Sequence, residues 1–219
     1  MTTVRVWFTK RGEAAYISLL DLQRVMQRAF KRSGLPVWYT LGFNPHIYMT
    51  FAAPLSLGQE SVAESLDFKT EAENFDWAEG AKALNACLPR GVEAVRIAPA
   101  GADPAQIASA LYEVRYGAKD APAARAAIEA YNALAAAEVV KEGKHGKKKT
   151  VDLKQYLPAV ALREEGEGLC AVMELPAGSV FTLNPVLVLG FLVQNGGPAV
   201  PAAAILRTAL HTKDGAIFS

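Results

Sequence analysis

The stretch "SLLDLQRVMQRAFKRSG", residues 18–34, decides how the first half of the chain folds. Ser18 is a typical helix N-cap residue with Asp21 three residues on, and Gly34 is a typical C-terminal stop. Apolar side chains recur between them at helical spacing, at positions Leu19, Leu22, Met26, Ala29 and Phe30. The pattern predicts an amphipathic helix with these five side chains on its buried face.

Strand patterns surround this helix. Upstream, Val4, Val6 and Phe8 alternate with other residues, which is typical of a half-buried strand. Downstream, the patterns predict strands at 36–40, 47–52 and 60–70, a helix at 75–88 and a strand at 92–98. The order is β, α, β, β or a β-hairpin variant, α, β, which is that of the ferredoxin-like split βαβ unit.

The second half has a similar element order and a different sequence. Strand patterns occur at 110–117, 138–143, 150–157, 159–165 and 169–175, and a last one at "AAILRTALH". Helices are expected at 121–137 and in the stretch after an N-cap near Asn184. We therefore expect an α+β fold made of two tandem ferredoxin-like (split βαβ) units with antiparallel sheets. The units comprise residues 1–100 and 107–219, joined by the Pro/Gly/Ala-rich linker 99–106.

Composition excludes several classes of protein. Of 219 residues, 51% are hydrophobic and the net charge is only +1, so any basic surface is local. Cys87 and Cys170 lack metal-ligand spacing and are expected to be buried free thiols. No apolar run is long enough to span a bilayer and no signal-peptide pattern opens the chain, which predicts a cytoplasmic protein. No cofactor or metal motif is found.

Two basic elements are candidates for binding a polyanion. On the polar side of the first helix, Arg24, Arg28 and Lys31 lie in a row with Arg32 beside them. The stretch "KEGKHGKKKT", residues 141–150, holds five lysines in an expected hairpin loop. Such elements bind phosphates through counterion release, although both also occur as plain solvated surface. The candidate lysines of the loop are Lys144, Lys147, Lys148 and Lys149.

The stretch "GFNPH", Gly42–Phe43–Asn44–Pro45–His46, predicts a turn between two strands. Folding does not require His46, so it is a candidate general acid or base as well as a structural residue. Its catalytic partner is left open among Tyr39, Tyr48 and Lys10.

Four segments in this order resemble the signature of a bacterial family of uncharacterised proteins linked to radical SAM enzymes. They are an I-S-x-L-D-L helix (Ile17 to Leu22), G-L-P (Gly34 to Pro36), the G-F-N-P-H turn and P-L-x-x-G-x-E-S (Pro54 to Ser61). In that family the domain stands alone or follows a radical SAM protein. The resemblance implies a radical SAM protein as partner.

The chain departs from the family pattern at two points. Leu19 replaces a histidine of the helix motif, and Ile47 and Tyr48 follow the turn where the family pattern places an arginine. If the family histidine has a chemical role, this chain lacks it. A looser similarity, at the level of fold alone, is to the repeat-associated RNA-processing endonucleases of CRISPR systems.

These observations favour a non-catalytic accessory module that binds RNA, or a ribonucleoprotein, for a radical SAM partner. The basic helix and lysine loop would contact phosphates, and Gly42, Phe43, Asn44 and His46 would border the binding surface. One alternative is a metal-independent RNA endonuclease using His46. The other is a protein–protein interaction module for the radical SAM enzyme.

Overall fold

A computed structural model describes residues 1–142, 148–179 and 181–219. The α-helices within these ranges are α1 (Leu19–Ser33), α2 (Trp77–Asn85), α3 (Ala121–Ala133) and α4 (Pro185–Gln194). The strands are β1 (Thr2–Lys10), β2 (Met49–Phe51), β3 (Glu60–Thr70), β4 (Val92–Pro99), β5 (Ile107–Tyr116), β6 (Glu138–Glu142), β7 (Lys148–Asp152), β8 (Ala161–Glu165), β9 (Gly168–Pro176) and β10 (Ile205–Thr212). The expected mixed α+β class is confirmed.

Helix α1 begins and ends where its sequence predicts. The Ser18 hydroxyl accepts a hydrogen bond from the backbone N–H of Asp21 at 3.2 Å, and Gly34 adopts a left-handed conformation with φ of +73°. Four of the five expected core side chains are buried: Leu22, Met26, Ala29 and Phe30. The expectation for Leu19 is wrong, because this side chain, at the first position of α1, is 38% exposed.

The first half forms four strands of the main sheet. Strand β1 lies between β4 and β3, and β2 pairs with the other edge of β3, all in antiparallel register. The apolar side chains of β1 and β3 pack against α1 and α2 in one core, which contains Val4, Val6, Phe8, Met26, Phe30, Leu66, Phe68 and Leu84. Helix α2 begins after Asp76, whose carboxylate accepts hydrogen bonds from two backbone N–H groups.

The second half forms the rest of the sheet, in the order β10–β5–β9–β8, again antiparallel. Strands β6 and β7, which lie between α3 and β8 in the sequence, form a separate two-stranded sheet. Helix α4 is capped by the Asn184 side chain, which accepts from the N–H of Val186 at 3.1 Å, as the sequence predicts. The second core includes Tyr112, Val114, Ile128, Tyr131, Met173, Leu189 and Ile205.

The two halves share one sheet, whereas separate sheets were expected. Strand β10 runs parallel to the start of β3, pairing Leu206 with Glu60 and Arg207 with Ser61. The main sheet therefore has eight strands among the described residues and is antiparallel except at this pairing. The sequence pattern could not show this, because the pairing joins residues almost 150 positions apart. The division at 99–106 stays a prediction.

Buried polar groups cross this junction. Arg207 and Glu64, with side chains 2% and 4% exposed, form an ion pair, and Arg207 also donates to the Ala53 carbonyl at 2.6 Å. Lys10, likewise buried, donates from Nζ to the Ala15 carbonyl at 3.0 Å. Burial lowers the pKa of Lys10, the Glu64 carboxylate raises it and the Arg207 guanidinium lowers it.

An amide chain makes a second link between the halves. Gln59 Nε2 donates to Asn184 Oδ1 at 2.9 Å, and Asn184 Nδ2 donates to Ser56 Oγ at 3.1 Å. One side chain thus both caps α4 and fastens it to the segment that precedes β3. The segment 54–61 of the family signature therefore has a structural role at the junction.

The expected strand at 36–40 is wrong, and the one at 47–52 is reduced to β2. The backbone of 36–48 meets its neighbours only at single points: Trp38 N–H donates to the Lys69 carbonyl at 2.7 Å, and Tyr39 forms an isolated bridge with Ile47. Pro36 and Pro45 lack the N–H groups that a ladder needs. The segment is an irregular loop held against the end of β3.

Candidate functional site

The basic row of α1 is fully displayed on the surface. Arg24, Arg28, Lys31 and Arg32 are all exposed. Arg24 is engaged, since its Nη1 lies 2.9 Å from Asp21 Oδ1. The pKa of Asp21 is lowered by the Ser18 hydroxyl and then by Arg24. Within the described residues, Arg28, Lys31 and Arg32 form no ion pair within 4 Å, so their charges are available to a ligand.

These three cations line one side of a groove. The groove, of about 660 Å³, runs between the last turns of α1 and the segment that follows α2, residues 86–89. Val25 and Ala29 contribute to its wall. Lys31 and Arg32 also lie in the last turn of α1, where they interact favourably with the helix dipole. This interaction with the dipole still allows the cations to bind a ligand, because they remain solvent-exposed and form no ion pair among the described residues.

Hydrogen bonds between Thr40 and His46 close the turn at 42–46. The Thr40 N–H donates to the His46 carbonyl at 2.8 Å, and the His46 N–H donates to Thr40 Oγ1 at 3.1 Å. Nδ1 of His46 lies 3.1 Å from both Thr40 Oγ1 and the Asn44 carbonyl. Gly42 has a φ of +121°, which favours glycine. This closed turn holds Phe43 completely exposed.

The hydrogen bonds of His46 identify it as a member of the turn. Among the described residues they join it to Thr40 and Asn44 and not to Tyr39, Tyr48 or Lys10. Lys10 lies instead in the buried cluster with Glu64. The use of His46 as a general acid or base therefore stays a prediction.

An aromatic group that the sequence pattern did not reveal flanks the turn. Trp38 and Tyr48 approach edge to face with ring centroids 6.5 Å apart, and Lys69 Nζ lies 4.6 Å from the Tyr48 centroid. Tyr48 and Lys69 line a cavity of about 430 Å³ with residues 100–104 opposite. Strand alternation places Lys69 on the opposite face of β3 from the core residue Phe68, but its aromatic neighbours depend on the irregular loop.

The lysine loop falls mainly outside the described residues, which exclude Lys144, Lys147 and the side chain of Lys148. Lys149 is exposed on β7 and lines a groove whose described wall belongs to the second half, with Glu138 and Tyr156. The described residues therefore do not place this loop beside α1.

A second histidine, also missed, is held by a carboxylate. His211 Nδ1 lies 2.8 Å from Glu174 Oε1, which also accepts from Ser109 Oγ at 2.6 Å. The Ser109 hydroxyl and then His211 lower the pKa of Glu174. Both other residues bond the same carboxylate oxygen, so the hydroxyl is not presented to the histidine as a nucleophile would be. This group is a cross-strand link on the outer face of β10, β5 and β9.

Three further observations concern the cysteines, the metal-ligating side chains and the helix lengths. Cys87 and Cys170 are free; Cys170 is buried as expected, whereas Cys87 is only half-buried. No cluster of three metal-ligating side chains occurs among the residues that the structure describes. In the same ranges, no helix has the length and apolar character needed to cross a bilayer.

Fold and surface together define a mixed α+β protein with a cationic helix and an aromatic loop. Comparison with protein families places it further: residues 3–185 match the model of a family described as uncharacterised proteins conserved in bacteria (DUF2344). The match covers most of the chain, and the protein belongs to this family. A search of curated proteins found no match.

Proposed function

We propose that this protein is a non-catalytic accessory module that binds RNA for a radical SAM partner enzyme. The observation that carries the proposal is the unpaired row Arg28, Lys31 and Arg32 along the groove beside α1. Three like charges on one helix face have no counter-ion within 4 Å among the described residues, at a place where a phosphate backbone can lie. The link to a radical SAM partner rests on the sequence resemblance.

The proposal includes two tandem ferredoxin-like units. Each half supports it by its strand order: β4–β1–β3–β2 in the first, and β10–β5–β9–β8 in the second, where β6 and β7 are an insertion. In both, the two central strands are the first and third of the unit, as the split βαβ arrangement requires. Ferredoxin-like units are used for many purposes, so the RNA assignment depends on the surface and not on the fold.

The test is fluorescence anisotropy with nuclease-treated protein and a labelled small-RNA pool at two salt concentrations. Micromolar or tighter binding that weakens steeply with salt is expected. The triple variant Arg28→Gln, Lys31→Gln, Arg32→Gln removes no ion pair of the folded protein. If these residues contact phosphates, the triple variant should make the plot of log affinity against log salt less steep by about 2. Each phosphate contact on a single strand contributes about 0.7 to this slope.

A charge-matched control separates this site from the overall charge. Lys82, Lys119 and Lys213 are exposed lysines on other elements. Their triple replacement by Gln leaves affinity nearly unchanged if the α1 row is the site. Equal losses in both triple variants would overturn the site assignment. Absence of RNA binding, with co-purification of a radical SAM protein after nuclease treatment, would replace the proposal by the protein–protein module.

A further inference from the structure

We infer that Tyr48 and Lys69, with the cavity beside them, form a stacking site for an unpaired base of single-stranded nucleic acid. The inference rests on the proposed function and specifies the substrate class. An unpaired base offers a π-face, polar edges and an adjoining phosphate, and single-strand binding proteins meet these with aromatic rings and cations.

The first requirement, an accessible aromatic face, is met by Tyr48. Its side chain is 39% exposed even though Trp38 packs against it edge to face. This contact fixes the orientation of the ring. A ring held in place by a neighbour loses little conformational entropy when a base stacks on it.

The second requirement, a cation within reach of the ring, is met by Lys69. Its Nζ lies 4.6 Å from the Tyr48 centroid and 5.9 Å from that of Trp38. No ion pair within 4 Å engages it among the residues that the structure describes. The ammonium group is thus positioned at the aromatic surface but available to the phosphate of a stacked nucleotide.

The third requirement is a recess with polar groups. The cavity beside Tyr48 has a volume of about 430 Å³, within the usual range for small-ligand sites. Thr3, Thr50, Arg5, Asp67 and residues 100–104 line it, and Arg5 and Asp67 are ion-paired with each other. These groups supply donors and acceptors for a base edge.

Phe43 extends the surface along the same loop. Its ring is completely exposed on the closed turn at 42–46, although exposure of a phenylalanine costs free energy that burial would recover. Base stacking covers such a ring without needing a shaped pocket. We assign Phe43 to a neighbouring base of the same strand.

The experiment compares Tyr48→Leu with the native protein in two anisotropy titrations, using a labelled single-stranded oligoribonucleotide and a duplex of the same length. Leucine keeps the apolar bulk and removes the π-face. A stacking contact predicts a loss of about 5- to 150-fold on the single strand and little change on the duplex. Tyr16→Leu is the control, since Tyr16 is 64% exposed in the same half.

The outcomes separate this inference from the proposed function. Salt-dependent RNA binding that weakens in the α1 triple variant but not in Tyr48→Leu overturns the stacking site and leaves the function standing. Equal losses on single strand and duplex also overturn it. Absence of binding to either RNA by the native protein overturns the function itself. Quenching of Trp38 fluorescence by the single strand, lost in Trp38→Phe, reports directly on a base at the site.

Discussion

Replacing Glu64 by Gln tests the buried ion pair at the junction of the two halves. The amide keeps the shape of the side chain and one acceptor for Arg207, so the change removes mainly the negative charge. Arg207 and Lys10 then remain buried with no anion beside them. Loss of one partner of a buried pair costs about 3–5 kcal/mol, because the other charge stays desolvated.

Urea denaturation followed by circular dichroism measures this cost. With an m-value of about 3 kcal/mol/M, the midpoint of Glu64→Gln should fall by about 1–2 M. The double variant Glu64→Leu, Arg207→Met removes both charges and should recover most of the loss. Glu79→Gln, which breaks an exposed pair with Lys82, is the control and should cost no more than about 0.5 kcal/mol.

Lys10 gives the same prediction a pH dependence. Without Glu64, the pKa of Lys10 in the folded protein falls further below its ordinary value, because the carboxylate that raised it is gone. The unfolded state then binds more protons between the two pKa values, so stability rises with pH in that window. The penalty of Glu64→Gln should therefore be smaller in alkaline buffer. A cost below about 1 kcal/mol at neutral pH, or one equal to the control, would refute the reasoning.

Four further predictions concern positions outside the proposed binding surfaces. A Cβ on Gly91, at φ of +85°, would lie 2.3 Å from the Arg11 carbonyl oxygen, so Gly91→Ala should lower the free energy of unfolding in urea by about 2–5 kcal/mol. Gly190 lies in helix α4 with open space around it, so Gly190→Ala should raise the free energy of unfolding by about 0.5–1 kcal/mol. Asn184→Ala should cost about 2–3 kcal/mol by the same assay, since it removes a helix cap and two hydrogen bonds between the halves; a cost of a few tenths would contradict these contacts. Burial raises the pKa of Tyr131 to about 12, so this side chain ionises at a lower pH in the unfolded state than in the folded state. Stability should therefore fall between about pH 10 and 12. Tyr131→Phe should make this fall shallower, which urea denaturation across that pH range would measure.

Local signals in the sequence predicted the helices well. Ser18, Gly34 and Asn184 act through their own backbone neighbours, so each boundary is encoded within a few residues. The order of strands was likewise recoverable from alternation. The loop at 36–48 was predicted less well, because its β-rich composition competes with two prolines whose effect depends on the neighbouring strand.

Long-range contacts explain what the sequence could not reveal. Arg5 alternates with Val4 and Val6 as an outward-facing residue would, yet it is completely buried. Asp67 binds its guanidinium at 2.7 Å, and the Ala102 carbonyl and the Phe218 ring cover it from remote parts of the chain. The aromatic site has the same origin, since Trp38, Tyr48 and Lys69 come from a loop and a distant strand. The cationic row was predictable because one helix carries it.

The ion pair at the junction also sets an order of events during synthesis. Glu64 and Arg207 are 143 residues apart in the chain. At about 5–20 residues per second, the ribosome needs roughly 7–30 s to add the intervening residues. During that interval the Glu64 carboxylate has no guanidinium to pair with, because Arg207 has not yet been synthesised. The ion-pair partner of Glu64 is therefore missing from the first half until β10 has been synthesised, and water or a chaperone can bind the carboxylate in the meantime.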